Sequence, residues 1–437
     1  MHNQDNGEPA NPETLAPPSV TGRRSPRWWL AVQSALFAYG LTLGAALVMM
    51  ALLILGFFLG GAGALNAMND SAGTMGASLD GPSALAIYPF FLAAMALGGT
   101  TVLTVSSTVY TDLGAPLVSV WVGVLPLLLT AVATAALWRL GRRAERKAAL
   151  ESDGLRWLYA GVTGLTLAAF SVLLSLLVSL RGDTDAGAAF LTAASPSLLA
   201  GAVLVGTAAS WSGRKSEAGT RLRWFTRAEA MLPGLRAALR LAGCHYLAYT
   251  AAAGLALLVT ALLHGGAAVA FAAPLWLPTA SAWAFAVGHL SAVANPGLAL
   301  PGDFPFTVGN LPVWASAAAG ILALLLATAA SVLWFLSRGR GSGMPAGRGA
   351  WLTLPMVFGL GGAALSVLTM VAAGQGVAGG SGFGPGAGSA GPAWWTFLIM
   401  ACWGLAIEAG SRTLAPQLAP LVPGRVSAFF DGSTAAN

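Results

Sequence analysis

The chain has 437 residues, of which 56% are hydrophobic and only 9% are charged, and its formal net charge is +6. Soluble domains carry about 25% charged residues, so a chain this apolar must cover part of its surface with lipid, which excludes a soluble globular protein. The basic residues lie in short loops between apolar runs and form no patch interleaved with aromatic residues. This pattern argues against nucleic-acid binding and is typical of a membrane orientation signal.

The first 27 residues are polar and contain several prolines, and we predict a disordered cytoplasmic tail, 1–27. An Arg-Arg pair, Arg23 and Arg24, precedes the first apolar run and also occurs in twin-arginine export signals. The run 28–60 is far longer than the roughly 7–15 residues of a signal-peptide core. We therefore interpret it as an uncleaved transmembrane helix, because about 20 apolar residues suffice to cross a bilayer.

Two later apolar stretches, 88–97 and 274–287, contain breaks that are unusual in a membrane span. They stop at Gly98, Gly99 and Thr100 in the first half of the chain and at Gly288 and His289 in the second half. We interpret them as equivalent re-entrant half-helices of an all-α membrane protein. Such ends need protein or a water-filled cavity to shield their free backbone groups. The alternative is that each stretch is a full span that ends in a polar turn.

The remaining apolar runs are continuous enough to cross a bilayer. They cover 116–138, 157–180, 188–210, 241–263, 313–336, 351–373 and 394–414. Together with the first run they divide the chain into a first membrane half, 28–210, a basic segment, 211–240, a second membrane half, 241–414, and a C-terminal tail, 415–437.

The basic segment 211–240 is the most basic part of the chain, and its arginines recur four residues apart on one face of a predicted helix. Two interpretations explain this pattern equally well: an in-plane helix on anionic lipid headgroups, or a solvated cytoplasmic loop. The arginines that would contact anionic lipids are Arg221, Arg223, Arg227, Arg236 and Arg240.

The distribution of Lys and Arg decides between two topologies. If all of the roughly ten apolar segments cross, the basic loops 139–156 and 214–240 face outside, against the positive-inside rule. If the two broken stretches enter and leave on the same side, about eight crossings remain, and every basic loop and both termini lie in the cytoplasm. We therefore predict a multi-pass protein of the cell membrane with eight crossings and two re-entrant half-helices, and ten crossings is the alternative.

Both halves contain the same order of features: a span, a broken stretch, a span that ends in a basic loop, and two further spans. An inverted repeat with an odd number of crossings would place the two basic loops on opposite sides of the membrane. Their equal sign therefore favours a parallel internal repeat. Residue identity between the halves is weak, so this prediction depends on the pattern.

In the order and composition of its apolar segments, the chain resembles the streptophobe family, which comprises very hydrophobic multi-pass proteins of high-GC bacteria. The resemblance covers roughly 28–414 and is carried by Ala94-Met95-Ala96-Leu97-Gly98-Gly99, by 115–120 leading into 137–143, by Leu277-Pro278 with Trp283, and by 401–405. The Leu-Pro-Asn of the family is Leu277-Pro278-Thr279 here. The resemblance implies an architecture without an assigned activity, and another membrane family with a Leu-Pro-x-x-x-x-Trp stretch is the alternative.

Few side chains in the spans are suited to chemistry. Glu408 is the one acid well inside a span, and Arg412 follows four residues later on the same helix face. This pair is either a local ion pair near the cytoplasmic interface or part of a proton- or cation-coupled site. We expect His245 and His264 at opposite faces of the membrane, and His264 and His289 as possible neighbours outside, which is too few ligands for zinc. We predict no metal and no cofactor.

Three classes of function are compatible with this inventory. A non-enzymatic scaffold or partner-binding protein fits the sparse polar residues best. A transporter or channel would use a midplane site at the ends of the two broken stretches. It requires Gly98, Gly99 and Gly288 to converge on a polar cavity that Glu408 or Asp112 faces. A membrane enzyme fits worst, because no cluster of acids, histidines or lysines is found.

Reporter fusions test the predicted topology. A fusion at Ala144 should report a cytoplasmic location, and fusions at Ser106, Ser291 and Ser381 should report an external one, because the broken stretches turn back. A cytoplasmic signal at Ser106 together with an external signal at Ala144 would favour ten crossings and contradict the prediction.

Overall fold

The computed structural model describes residues 28–60, 82–105, 118–148, 150, 152–184, 187–218, 223–295, 305–338, 348–377 and 388–421. Most of these residues are helical, as expected for a chain that must satisfy its backbone hydrogen bonds within the bilayer. The helices are α1 (Trp29–Gly60), α2 (Pro82–Ala96), α3 (Leu127–Ala148), α4 (Asp153–Leu177), α5 (Pro196–Ala218), α6 (Arg223–Met231), α7 (Leu235–Thr260), α8 (Gly266–Phe271), α9 (Ala273–Gly288), α10 (Val313–Ser337), α11 (Arg348–Leu368), α12 (Thr396–Thr413) and α13 (Ala415–Leu418).

Several of these helices can cross a membrane. By length and composition, five qualify: α1, α4, the continuous stretch from α7 through the π-helical turn Ala261–Gly265 to α8, α10 and α11. A sixth is added if α12 and the short helical segment Ala415–Leu421, whose axis is bent by 57° from that of α12, count as one span. The structure thus confirms a mostly helical protein with several helices that are long and apolar enough to span a membrane.

Eight short strands accompany the helices, and the sequence analysis predicted none of them. They are β1 (Thr101–Val105), β2 (Val118–Gly123), β3 (Leu180–Thr184), β4 (Gly187–Thr192), β5 (Ala292–Ala294), β6 (Phe306–Thr307), β7 (Val371–Val377) and β8 (Gly388–Pro392). They form one sheet in the order β3-β4-β1-β2-β7-β8-β5-β6, and each neighbouring pair is antiparallel. The all-α prediction is therefore incomplete.

The strands also change the bounds of the predicted spans. The predicted span 116–138 begins as β2, and the helix starts only after Pro126 and continues through the basic residues to Ala148. The predicted span 188–210 begins as β4, and its helix starts at Pro196, where the fixed φ of proline suits a first helical residue. This helix continues past the predicted boundary at 210 to Ala218.

Each half of the chain has its own apolar core. In the first half, buried residues of α1, α2, α3, α4 and α5 pack together, among them Tyr39, Phe91, Leu137, Leu167 and Leu198. In the second half, the core combines α7, α9, α10, α11 and α12, among them Tyr249, Phe285, Trp334, Phe358 and Ile407.

Among the described residues, one strand pairing and two helix contacts join the two halves. β2 pairs with β7 over six residue pairs, from Val118 with Val377 to Gly123 with Ala372. Gly56 of α1 lies against α8, and Leu275 of α9 packs on a small cluster of first-half residues. The halves therefore share one sheet as well as an apolar interface.

The two broken stretches end in the same backbone geometry. After α2, Gly98 has a φ of +92°, and the N–H groups of Gly98 and Gly99 donate to Met95 and Ala94 at 2.9 and 3.0 Å. After α9, Leu290 has a φ of +66°, and the N–H groups of Leu290 and Ser291 donate to Val287 and Ala286 at 3.0 and 2.9 Å. This left-handed cap satisfies the last carbonyl groups of a helix.

Gly98 lies directly against Gly201 of α5, which offers a test of the packing. A methyl group at Gly201 would collide with the carbonyl oxygen of Leu97. Gly201→Ala should therefore lower the stability by about 1–3 kcal/mol, the usual cost of overpacking. Gly161→Ala in α4 is the matched control. Nothing lies within 4 Å of its added methyl group, so this variant should be neutral or up to about 1 kcal/mol more stable.

Melting of both variants in detergent, followed by tryptophan fluorescence, measures the difference. Equal melting temperatures for the two variants would contradict the close approach of α5 to the end of α2.

Candidate functional site

The structure separates the predicted site residues into three places. Gly98, Gly99 and Thr100 lie at the end of α2, Gly288 and His289 lie at the end of α9, and Glu408 and Arg412 lie near the C-terminal end of α12. Within the described part of the chain, no hydrogen bond or ion pair joins any two of these places.

The end of α2 is closed by backbone packing. Gly98 approaches the backbone of Gly201, and the N–H group of Thr100 donates to Ser195 Oγ at 3.1 Å. Gly99 is buried beside Leu198. This end has little room for a ligand.

The end of α9 carries a pair of buried histidines. His289, which is fully buried, follows α9 directly, and its Nε2 atom lies 3.0 Å from Nε2 of His245 in α7. The two helices run antiparallel here, since Ser281 lies against Gly254 and Gly288 lies against Tyr249. His245 is thus a buried residue inside α7, at the eleventh position of the helix.

Aromatic rings surround the histidine pair. Phe285 lies 4.1 Å from His289 between ring centroids, and Tyr249 lies 4.7 Å from it. Trp403 of α12 donates from Nε1 to the backbone oxygen of His289 at 2.9 Å. Phe358 of α11 lies 5.4 Å from His245. The second-half core thus encloses two ionisable side chains, and such residues inside a membrane protein are candidates for function.

The sequence analysis considered His264 as the possible neighbour of His289, and the structure pairs His289 with His245 instead. His264 lies in the π-helical turn after α7. Local spacing could not reveal the pair, because its members are 44 residues apart on different helices. In the described residues, no group of three or more His, Cys, Asp or Glu side chains could hold a metal ion.

Glu408 is fully buried and accepts hydrogen bonds from three side chains. Arg412 donates to it at 2.7 Å, as the four-residue spacing predicted, and Arg338 of α10 donates at 2.9 and 2.7 Å. Trp334 Nε1 donates at 2.6 Å. This carboxylate is saturated by its neighbours, so the geometry favours the local ion pair over a coupled transport site.

A second ion cluster lies near the ends of α3, α4 and α5. Arg156 donates to Glu145 at 2.8 Å and to Asp153 at 2.9 Å. Lys215 also pairs with Asp153, and the fully buried Arg214 lies 3.7 Å from Glu145 and over the ring of Tyr159. The removal of one partner from such a buried pair leaves an unpaired charge out of contact with water.

Two apolar clefts flank α9. One, of about 670 Å³, lies between α7, α9 and α11 and reaches Leu127 of α3. The other, of about 530 Å³, lies between α7, α9 and α10 and reaches Gly288. Neither cleft includes Gly98, Gly99 or Glu408 in its lining. The convergence that a transport site required is therefore not found in these two clefts, and Asp112 lies outside the described residues.

The arginines of the basic segment fall on two helices. Arg223 and Arg227 are in α6, and Arg236 and Arg240 are in the first two turns of α7. Arg227 and Arg240 are exposed, whereas Arg236 pairs with Glu229 at 2.9 Å. Arg221 lies outside the described residues.

Comparisons of the chain with protein-family models, with curated proteins and with solved structures find no match. The resemblance to the streptophobe family therefore stays a prediction.

Glu408→Gln tests the buried cluster. The substitution removes the charge that holds Arg338 and Arg412, and the loss of one partner of a buried pair costs about 3–5 kcal/mol. Glu217→Gln is the matched control. Its partners Arg142 and Arg146 are partly exposed, and exposed pairs contribute about 0–1 kcal/mol. Thermal melting in detergent should show a large loss for the first variant only, and similar losses for both would contradict this interpretation.

Proposed function

We propose that the protein is a non-enzymatic integral membrane protein of the cell membrane that serves as a rigid, partner-binding scaffold. The observation that carries this proposal is the ladder of six residue pairs between β2 and β7. It joins the two halves at one side, while the two ion clusters hold helix ends at the other. Partners would bind at the sheet, whose outermost strands, β3 and β6, each pair with only one neighbour among the described strands.

The proposed topology has eight crossings, made by α1, α3, α4, α5, α7, α10, α11 and α12, with α2 and α9 as re-entrant helices. The sheet supports it, because the ten-crossing plan would put the β1–β2 and β3–β4 connections on one side of the membrane and the β5–β6 and β7–β8 connections on the other. All eight strands belong to one sheet, and a sheet cannot straddle a bilayer.

Charge orients this plan. Basic residues occur at the ends of the crossing helices that lie away from the sheet, such as Lys147 in α3, Lys215 in α5 and Arg338 after α10. The positive-inside rule then places the sheet outside and both termini in the cytoplasm. On the cytoplasmic side, the exposed Arg227 and Arg240 would contact anionic lipid headgroups.

We further propose that the chain is a parallel repeat. Three features support it. Strand order within the sheet is 3-4-1-2 followed by 7-8-5-6, which is the same order with each number raised by four. In each half, a broken helix ends in the same left-handed cap and leads into the strand that pairs with two others, β1 or β5. The two halves also contain the same succession of long helices between their strands.

One observation favours the second candidate function, a transporter with a site at the end of a broken helix. The His245–His289 pair is buried at the end of α9, and ionisable side chains in such places often belong to ion pathways. A rocking motion of the halves would, however, strain the β2–β7 ladder. The rigid scaffold is therefore the better supported function.

Distances between spin labels distinguish the two. Labels at the lipid-exposed Leu158 of α4 and Leu352 of α11 report on the separation of the halves. The exposed free thiols Cys244 and Cys402 are first replaced by alanine. A rigid scaffold in nanodiscs should give one narrow distance distribution, as narrow as that of the control pair Leu158 and Leu204 within the first half.

A locked variant completes this experiment. Val122→Cys and Ala373→Cys are partners in the β2–β7 ladder, and their oxidation before labelling fixes the halves together, since antiparallel partners lie within disulfide reach. The distribution should not change on locking. A second distance population that the disulfide abolishes would contradict the scaffold and favour the transporter.

A further inference from the structure

The scaffold proposal makes no use of the two buried histidines, and their hydrogen bonds determine where their protons lie. Nδ1 of His289 lies 2.8 Å from the backbone oxygen of Phe285. A carbonyl oxygen can only accept a hydrogen bond, so this nitrogen carries a proton. In neutral His289 the other nitrogen, Nε2, then presents a lone pair to His245.

The same reasoning fixes the tautomer of His245. Its Nε2 atom must carry the proton that bonds to His289 across 3.0 Å. Neutral His245 therefore has a bare lone pair on Nδ1, and this atom is buried without a hydrogen-bond partner. The backbone of Leu326 in α10 lies near the His245 ring. The neutral pair thus leaves one acceptor atom in the interior of the protein.

We propose that the His245–His289 pair is a binding site for a single proton, which enters at Nδ1 of His245. With this proton in place, Nδ1 of His245 is a donor, Nε2 of His245 donates to His289, and Nδ1 of His289 donates to Phe285. The added proton occupies the lone pair that has no hydrogen-bond partner in the neutral pair. The charge is shared along the pair, because the bridging proton can lie on either Nε2 atom.

A second proton does not fit the same geometry. It would place two N–H donors against each other across the gap of 3.0 Å and two like charges on adjacent rings. The pair therefore titrates as one unit, in which the state of each ring depends on the other.

The groups that face the pair offer no competing acid. From α7, the hydroxyl groups of Tyr246 and Tyr249 donate to the carbonyls of Phe358 and Ala319 at 2.8 and 3.4 Å. α9 and α11 contribute the rings of Phe285 and Phe358, α10 contributes the Leu326 backbone, and α12 contributes Trp403. No carboxylate of the described residues contacts either histidine, so the bound charge is stabilised by carbonyl oxygens and aromatic rings.

The site is specific to the second half. At the corresponding end of α2, Gly98 lies against Gly201, and this place holds no histidine. Proton binding would act on α9 alone, because His289 directly follows this helix and the pair joins its end to α7.

The test is nitrogen-15 NMR of the full-length, histidine-labelled protein in nanodiscs. His2→Gln and His264→Gln leave the pair as the only histidines of the four in the chain. Between about pH 8 and about pH 4, a range that spans the ordinary titration of histidine, the signals of both rings should shift together with one midpoint, for a total of one proton. Uptake of two protons, or of none, would overturn the proposal.

Two further variants show whether the rings act together. Tyr88→Phe in α2 removes a hydroxyl group from the first-half core and should leave the uptake at one proton with the same midpoint. His289→Gln removes the second ring and should displace the midpoint of His245 by about one pH unit or more, the threshold for interacting groups. An unchanged midpoint in this variant would mean that the rings titrate independently and would contradict a shared proton.

Discussion

A helix that stops inside a protein has no water to bind its last carbonyl groups, and this constraint determines how α2 and α9 end. Both helices stop within the protein, where each must dispose of its last carbonyl groups. Gly98 and Leu290 turn the chain into the left-handed conformation, in which N–H groups that follow the helix donate to its last carbonyl groups. The chain then continues directly into β1 or β5, whose backbone is satisfied by neighbouring strands. The sheet thus satisfies the backbone hydrogen-bonding groups of the chain where the two helices stop.

Under the proposed repeat, the two halves share one architecture but have different residues at the end of the broken helix. The first half fills the end of its broken helix with a glycine contact, whereas the second half places two histidines there. The ion clusters differ in a similar way. Glu145 on α3 pairs with an arginine from α4, whereas Arg338 after α10 pairs with Glu408 on α12. Each cluster has a carboxylate between basic groups, but the carboxylate lies on α3 in the first half and on α12 in the second half.

Hydropathy and charge predicted much of the helical architecture, because these signals are local. The glycines that stop α2, the glycine and histidine that stop α9, and the Glu408–Arg412 spacing could all be found in the sequence. The strands could not, because a short apolar strand such as β2 merges with the helix that follows it when only apolar character is considered. The partner of His289 and the hydrogen bond from Arg338 to Glu408 could not be predicted from the sequence either, because both depend on tertiary contacts.

The shared sheet has a consequence for the biogenesis of the protein. β2 is complete early in synthesis, but its partner β7 follows roughly 250 residues later, a long-range pairing of the kind that slows folding. Until then, the edge of β2 is open to mispairing with other extended chains. The first half therefore cannot complete its strand pairing while it is being translated. The ribosome must first synthesise most of the second half, up to β7.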